Sequence, residues 1–453
     1  MKIPVLLALP AQETLRESAA AATVGQPSED ALRRTKVPAG FEIDVSLPAI
    51  PLGELRKDSI VLESLTPGGS QDFVVSGNLE VANFDAIPEE VEGRPVFADP
   101  KISAFPYCAG APVGGVADVA SRLSLGAIHA RGLDGDGVAI VIMDTGVNIP
   151  FINTTHGLAV RFDAANSWAP PGSLQRPGLF PVDHGTMCAF DSLIAAPKAT
   201  ILDYSILSGR SPGGSAMSGS LGTAVRAYAD LLAKYAVMFA PGGPYQYRGL
   251  VISNSWGMYH PSWDFPAGHP GRYCDNPRHP FATMVAALVT AGADFVFAAG
   301  NCGSQCPDNR CAGRTAGTIM GASSYSDVLT VAACLATTED RLGYSSQGPS
   351  ITGMYQQKPD ITAHAHFTGS LAYGPGSPDS GTSTACPVAA GCVAAIRTKR
   401  PPAMVPPAAL ITQIQTYGRP PVGFAPGTYP PGWNGDYGYG ILDVDGVARS
   451  FGV

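Results

Sequence analysis

An α/β fold is what this sequence predicts: a mostly parallel central sheet between layers of helices, preceded by a small α+β unit. Three observations carry the prediction. Val138 to Met143 and Phe295 to Ala299 are unbroken apolar runs, and a strand of that kind must be buried on both faces. Between them, Leu221 to Met238 repeats its apolar residues at helical spacing, so strands alternate with helices. Residues 1 to about 110 read differently, as short half-buried strands between polar and charged stretches. A chain of 453 residues with 45% apolar and 15% charged residues has room for one large domain and a smaller one.

Taken in order, Met1 to Ala11 superficially resembles a secretory leader. Its apolar run is short, broken by Pro4 and Pro10, and followed at once by Glu13, Arg16 and Glu17. A first strand, then an exposed helix over 12–22, is the better reading. Strands are expected at 41–45, 59–63 and 73–76, followed by an acidic stretch at 85–93 and an extended tail at 94–99. A first helix of the larger domain is expected over 118–132, with further helices over 221–238 and 281–291. Gly- and Pro-rich stretches at 169–181, 208–220, 240–248, 260–280 and 302–317 read as surface insertions. A net charge of -8 without a basic cluster argues against nucleic acid as a partner. No apolar run is long enough to span a membrane.

The chemistry concentrates in three places. Ser380 to Gly391 is rich in small residues and presents the Ser383 hydroxyl where an Ala/Val-rich helix begins. Unpaired N–H groups and the helix dipole favour developing negative charge at such a point. Asp144 ends the first apolar strand, at the sheet edge where ligands gather in open α/β folds. His184 is followed by Gly185 and Thr186. In that chain order the three suit a base-orienting carboxylate, a general base and a nucleophile. The orders His, Asp, Ser and Ser, acid, His of other serine hydrolases do not fit. Asp144-Thr145-Gly146 and Asp379-Ser380-Gly381 also match the paired loops of an aspartic peptidase. That reading leaves His184 without a role and sits badly with the helical run after Gly381.

On these residues the chain resembles the subtilisin-like serine peptidases, the subtilases, from about residue 118 to its end. The family's Asp-Thr-Gly, His-Gly-Thr and Gly-Thr-Ser-x-Ala-x-Pro motifs stand at Asp144, His184 and Gly381 to Pro387. The resemblance implies a subtilisin-like three-layer fold with Asp144, His184 and Ser383 as catalytic residues. It also implies that Asn301 donates to the oxyanion beside the Ser383 N–H. The segment Val251 to Gly257 would pair with an extended substrate by β-augmentation. Ser255, Trp256, Gly257, Ala298, Ala299 and Gly300 would wall the pocket for the residue before the cut, with Met320 to Ala322 at its base. That lining implies an apolar or aromatic residue there, although Trp256 reads equally well as core packing.

The resemblance further implies that 116–453 is the catalytic domain and that 1–115 occupies the place of a propeptide, removed within 97–115. A permanent N-terminal domain is the alternative. The implied activity is that of a serine endopeptidase working through an acyl-enzyme on extended protein or peptide substrates, as a monomer. Acyl transfer by a peptide ligase or cyclase, and a non-catalytic binding protein on the same fold, are the other readings. No cofactor is needed for catalysis; structural calcium is an expectation from the family alone. Many subtilases are secreted, yet no convincing leader is present, so the compartment stays open. Of the nine cysteines, two among Cys274, Cys302, Cys306 and Cys311 are expected to form a disulfide. Zinc binding lacks a C-x-x-C pair. Cys188, Cys386 and Cys392 read as buried packing near the triad.

Overall fold

The structure, a computed structural model, describes residues 1–23, 26, 28–52, 72–105, 110–210, 217–240, 242–243, 247–424 and 429–453. Its first part is built around β1 (Lys2–Leu9), which is followed by α1 (Glu13–Thr23) and α2 (Glu29–Arg33). The partner strands are β2 (Phe41–Ile43), β3 (Ile50–Leu52), β4 (Asp72–Glu80), β5 (Glu90–Val91) and β6 (Arg94–Ala98). Antiparallel β4 and β6 flank β1, so the strand is central and nearly all apolar. Its alternation divides two cores. Ile3, Val5, Leu7 and Leu9 pack with Leu15 and Leu32 beneath the helices, while Leu6 joins Val74 and Ile50 in the core of the larger domain. The strand expected at 59–63 lies outside the described residues.

Two strands follow: β7 (Lys101–Ala104), then β8 (Val138–Asp144) after two short helices, α3 (Val116–Arg122) and α4 (Leu125–Ala130). These helices replace the single one expected over 118–132. Ser124 adopts a left-handed φ of 53°, which interrupts the ladder of helical hydrogen bonds between them. Next come α5 (Ile149–His156), β9 (Arg161–Phe162), α6 (His184–Ala195), β10 (Thr200–Ser205), β11 (Gly209–Arg210) and β12 (Met217–Ser220). The chain continues through α7 (Leu221–Met238), β13 (Gly249–Asn254), β14 (Trp256–Gly257), α8 (Pro280–Ala291), β15 (Asp294–Ala298), β16 (Leu329–Leu335) and β17 (Ile361–Ala365). It closes with α9 (Thr382–Arg397), α10 (Pro407–Thr416) and α11 (Val444–Ser450).

The central sheet has the order β17-β16-β15-β13-β8-β10-β9, and its paired strands are parallel. Each β8 residue is buried, and again alternation sorts them. Val138, Ile140 and Ile142 pack on the side of α6 and α9, while Ala139, Val141 and Met143 pack on the side of α7 and α8. Strand order reverses at β8, which puts Asp144 at the switch point where crevices form in such sheets. Among the described residues, no helix is long and apolar enough to cross a membrane.

The two parts meet along β6 and β7. Asp99 is buried between these strands and accepts from the Gly222 N–H at 2.6 Å, at the N-terminus of α7, while Pro100 O accepts from Leu221 N at 3.0 Å. Burial pushes the Asp99 carboxyl up to about 6, against the opposing pull of the Gly222 N–H and the Ser220 hydroxyl. An acid with a higher pKa docked than free takes up a proton on docking. Docking therefore weakens as pH rises from the ordinary value of 3.8 through about 6. Urea midpoints across this window should fall more steeply for the wild type than for Asp99→Asn. Equal slopes for the two proteins would count against the assignment.

Candidate active site

Asp144 leaves the end of β8 and His184 opens α6, capped by the Asp183 carboxylate on its own N–H at 2.8 Å. Gly185 fits closely here, because a Cβ would lie 2.5 Å from Gly146 O. This contact draws the two loops together. His184 Nδ1 lies 2.8 and 2.9 Å from the two oxygens of Asp144, and both side chains are buried. With Nδ1 donating to the carboxylate, Nε2 carries the free lone pair; it is buried and makes no hydrogen bond. Cys188 adds a thiol 3.7 Å from Asp144 Oδ2 and 3.6 Å from Ser383 O. Burial, and then the Asp144 charge, push this thiol well up, so it stays protonated.

Ser383 sits in the first turn of α9, after Gly381 at φ 83°. Its hydroxyl donates to Ser255 O at 3.3 Å, and the Ser255 hydroxyl donates to Ser383 O at 2.9 Å. A hydrogen bond from Ser383 to His184 is not made in this conformation. Asn301 follows β15 and Gly300, itself at φ 97°. Its Oδ1 accepts from the Thr382 N–H at 2.9 Å and the Thr382 hydroxyl at 3.0 Å, which fixes which way the amide points. Sequence reasoning missed Thr382 as the residue that orients Asn301. Its place beside Ser383 was the available signal.

The Asn301 amide does not face empty space. Its Nδ2 donates to Phe105 O at 2.6 Å, and the Phe105 N–H donates to Ser255 O at 3.1 Å. Gly381 is required at this point, since a Cβ there would collide with the Phe105 carbonyl. Upstream, β7 pairs antiparallel with β14, Ala104 opposite Trp256 and Ser103 opposite Gly257, and on its other edge with β12. Segment 101–105 is thus an extended strand threaded between two strands of the larger domain. The Phe105 ring lies over Gly257, where a Cβ would come within 2.5 Å of it, touches Gly300, and packs edge-on against Tyr259 at 4.8 Å.

Of the expected pocket residues, Gly257 and Gly300 meet Phe105, and Ser255 meets it through its backbone. Ala298 is buried at the end of β15, and Ala299 follows with its N–H on Val331 O. The Trp256 side chain turns away, fully buried edge-on against Phe281 and Phe297. Met320 and Ala322 lie in that same core rather than in the one that receives Phe105. Asp379 is far from pairing with Asp144: it accepts from the Ser370 N–H and hydroxyl and faces Asp191, so the two Asp-x-Gly loops do not form a dyad. Cys302 and Cys311 form a disulfide in the loop after Asn301. Cys188, Cys386 and Cys392 are free and buried, and Cys108 lies outside the described residues. Asp144, His184 and Cys188 stand close enough to share one ion, but imidazole and thiol do not suit calcium, and the grouping gives that expectation no support.

A profile of the subtilase family matches residues 135–440, and the chain belongs to that family of serine peptidases. Among solved structures it is similar to fervidolysin from Fervidobacterium pennivorans, a keratinolytic enzyme related to subtilisin. The TM-score is 0.54 at 16% identity, covering 99% of this chain and 61% of that one, so the chain spans less than two thirds of fervidolysin's length. This likeness shows the fold. MycP1 with its N-terminal propeptide removed aligns at a TM-score of 0.48 and 20% identity, over 75% of this chain and 98% of that one. No curated protein sequence matches.

Because its ring is core and only its backbone faces the cleft, Trp256→Ala should cost about 3–5 kcal/mol of unfolding free energy. Guanidinium denaturation checks this; a loss near zero would return the side chain to the cleft.

Proposed function

We propose that this chain is a serine endopeptidase with its own segment 101–105 lying in the cleft as a substrate would. Asp144, His184 and Ser383 form its triad, and Asn301 with the Ser383 N–H forms its oxyanion hole. The observation that carries this reading is the double engagement of Phe105, N–H on Ser255 O and carbonyl oxygen on Asn301 Nδ2. A carbonyl polarised by a fixed amide beside a serine at a helix start is a carbonyl set up for attack.

Turning the Ser383 hydroxyl from Ser255 O to the bare His184 Nε2 would complete the relay. His184 then takes the proton as Ser383 Oγ bonds to the carbonyl carbon, and Asp144 balances the imidazolium it holds through Nδ1. The oxyanion rests on Asn301 and the Ser383 N–H. Return of the proton to the leaving nitrogen frees the amine and leaves the acyl-enzyme, which water hydrolyses by the same steps. In this reading residues 1–105 act as an inhibitory propeptide. The bond after the held carbonyl joins Phe105 to Pro106, and a proline nitrogen, crowded by its ring, makes a poor leaving group. Slow turnover there suits an inhibitor.

Three comparisons test the reading. Intact mass over time should show loss of the N-terminal region in wild type and none in Ser383→Ala. Pro106→Ala should release residues 1–105 faster than wild type. Asn301→Ala should lower kcat about 10²–10³-fold on a peptide with Phe before the cut. A Ser383→Ala protein that still matures, or an Asn301→Ala protein of full activity, would overturn the assignment. Acyl transfer would appear as ligated product when an amine nucleophile is added.

A further inference from the structure

The loop that the Cys302–Cys311 disulfide closes reaches over the cleft, and nothing in the mechanism uses it. At its closing end, next to Cys311, stands Arg310, whose guanidinium is held from two sides. Asp308 accepts from Nε at 2.9 Å and from Nη2 at 2.8 Å, a fork-to-fork pair. The Tyr259 ring lies beneath it, 3.8 Å from the ring centre. The remaining nitrogen, Nη1, is aimed at the strand in the cleft. It donates to the Ser103 hydroxyl at 2.8 Å and to Ala104 O at 2.9 Å, and the Tyr259 hydroxyl donates to the same carbonyl at 3.0 Å. Counting back from Phe105, these are the second and third residues before the held carbonyl. The Ser103 hydroxyl completes its bonding by donating to Met217 O at 3.0 Å, and the residue is buried.

We propose that Arg310, braced by Asp308 and Tyr259, is a specificity-determining clamp that selects serine or threonine three residues before the cut. The inference rests on the reading that 101–105 lies as a substrate does. The third side chain sits between an arginine that can only donate and a carbonyl that can only accept. A hydroxyl answers both at once. A lysine there would satisfy Met217 O but face the guanidinium as a like charge, and an alanine would lose both bonds, leaving Nη1 to Ala104 O alone. Sites built to hydrogen-bond a hydroxyl reject residues that cannot replace it far more strongly than apolar pockets reject a misfit. The bond to Ala104 O grips the backbone and holds for any sequence.

The full-length chain provides the test, through the rate at which a fluorophosphonate labels Ser383. Ser383→Ala is the blank. Ser103→Lys should loosen the segment and raise the labelling rate about tenfold over wild type. Ser103→Lys with Arg310→Glu should bring the rate back toward wild type, because lysine then meets a carboxylate. Should Arg310→Glu disturb the loop through Asp308, Arg310→Met keeps the stem; with it, Ser103→Lys should no longer change the rate. In a mixture of peptides containing Ile-X-Ala-Phe-Ala-Gly, wild type should consume X = Ser about tenfold faster than X = Lys. Arg310→Glu should reverse that order. Equal labelling of wild type and Ser103→Lys, strictly additive effects in the double variant, or equal consumption of the two peptides would overturn the clamp while leaving the peptidase standing. Absence of labelling in every protein would instead overturn the peptidase reading, and the clamp with it.

Discussion

The burial of α9 is the constraint on which the rest depends. All 16 of its residues are buried, so the helix runs through the middle of the domain rather than along its surface. Small side chains make this workable. At Gly391 a Cβ would collide with Ser192 O, so α6 and α9 touch backbone to backbone. His184 and Ser383 stand at the N-termini of these two helices, and their proximity is a consequence of that packing. A larger residue at the contact would separate the helices and, with them, His184 from Ser383.

The same economy of small residues shapes the cleft. Gly381, Gly257 and Gly300 leave room for the Phe105 carbonyl and ring, and the Thr382 side chain fixes the amide that meets the carbonyl. The N-terminal part adds what the larger domain lacks, a strand between β12 and β14 and a carboxylate at the start of α7. β1 is central to this attachment. One set of its side chains builds a local core, and Leu6 from the other set joins the core of the larger domain. The two parts are thereby packed as one body around the cleft.

Much of this was legible in the chain. The apolar runs of β8 and β15, the helix Leu221–Met238, and the small-residue entry to α9 are each specified by local pattern, because burial on two faces or one is written in the spacing of apolar residues. The motifs placed Asp144, His184, Asn301 and Ser383 at strand and helix ends, and the structure brings Asp144 to His184 and Asn301 to Thr382. The disulfide was foreseen as two among four cysteines, since crowding is visible in sequence and pairing geometry is not. The long helix over 118–132 was not borne out, because the left-handed turn at Ser124 has no signal in a serine flanked by leucines.

Sequence by itself determined the family, the class of fold and the chemical identity of the groups at the site. These follow from local patterns and from motifs that each occupy a few consecutive residues. Tertiary structure alone decided which way side chains turn and what lies across the cleft. Trp256 enters the core although its neighbours Ser255 and Gly257 meet Phe105, because successive residues on a strand face opposite sides. Phe105 meets Asn301 across 196 residues of chain, and Arg310 meets Ser103 across 207. Contacts of that separation depend on how two parts of the molecule dock, a property of complementary surfaces that no stretch of sequence carries alone.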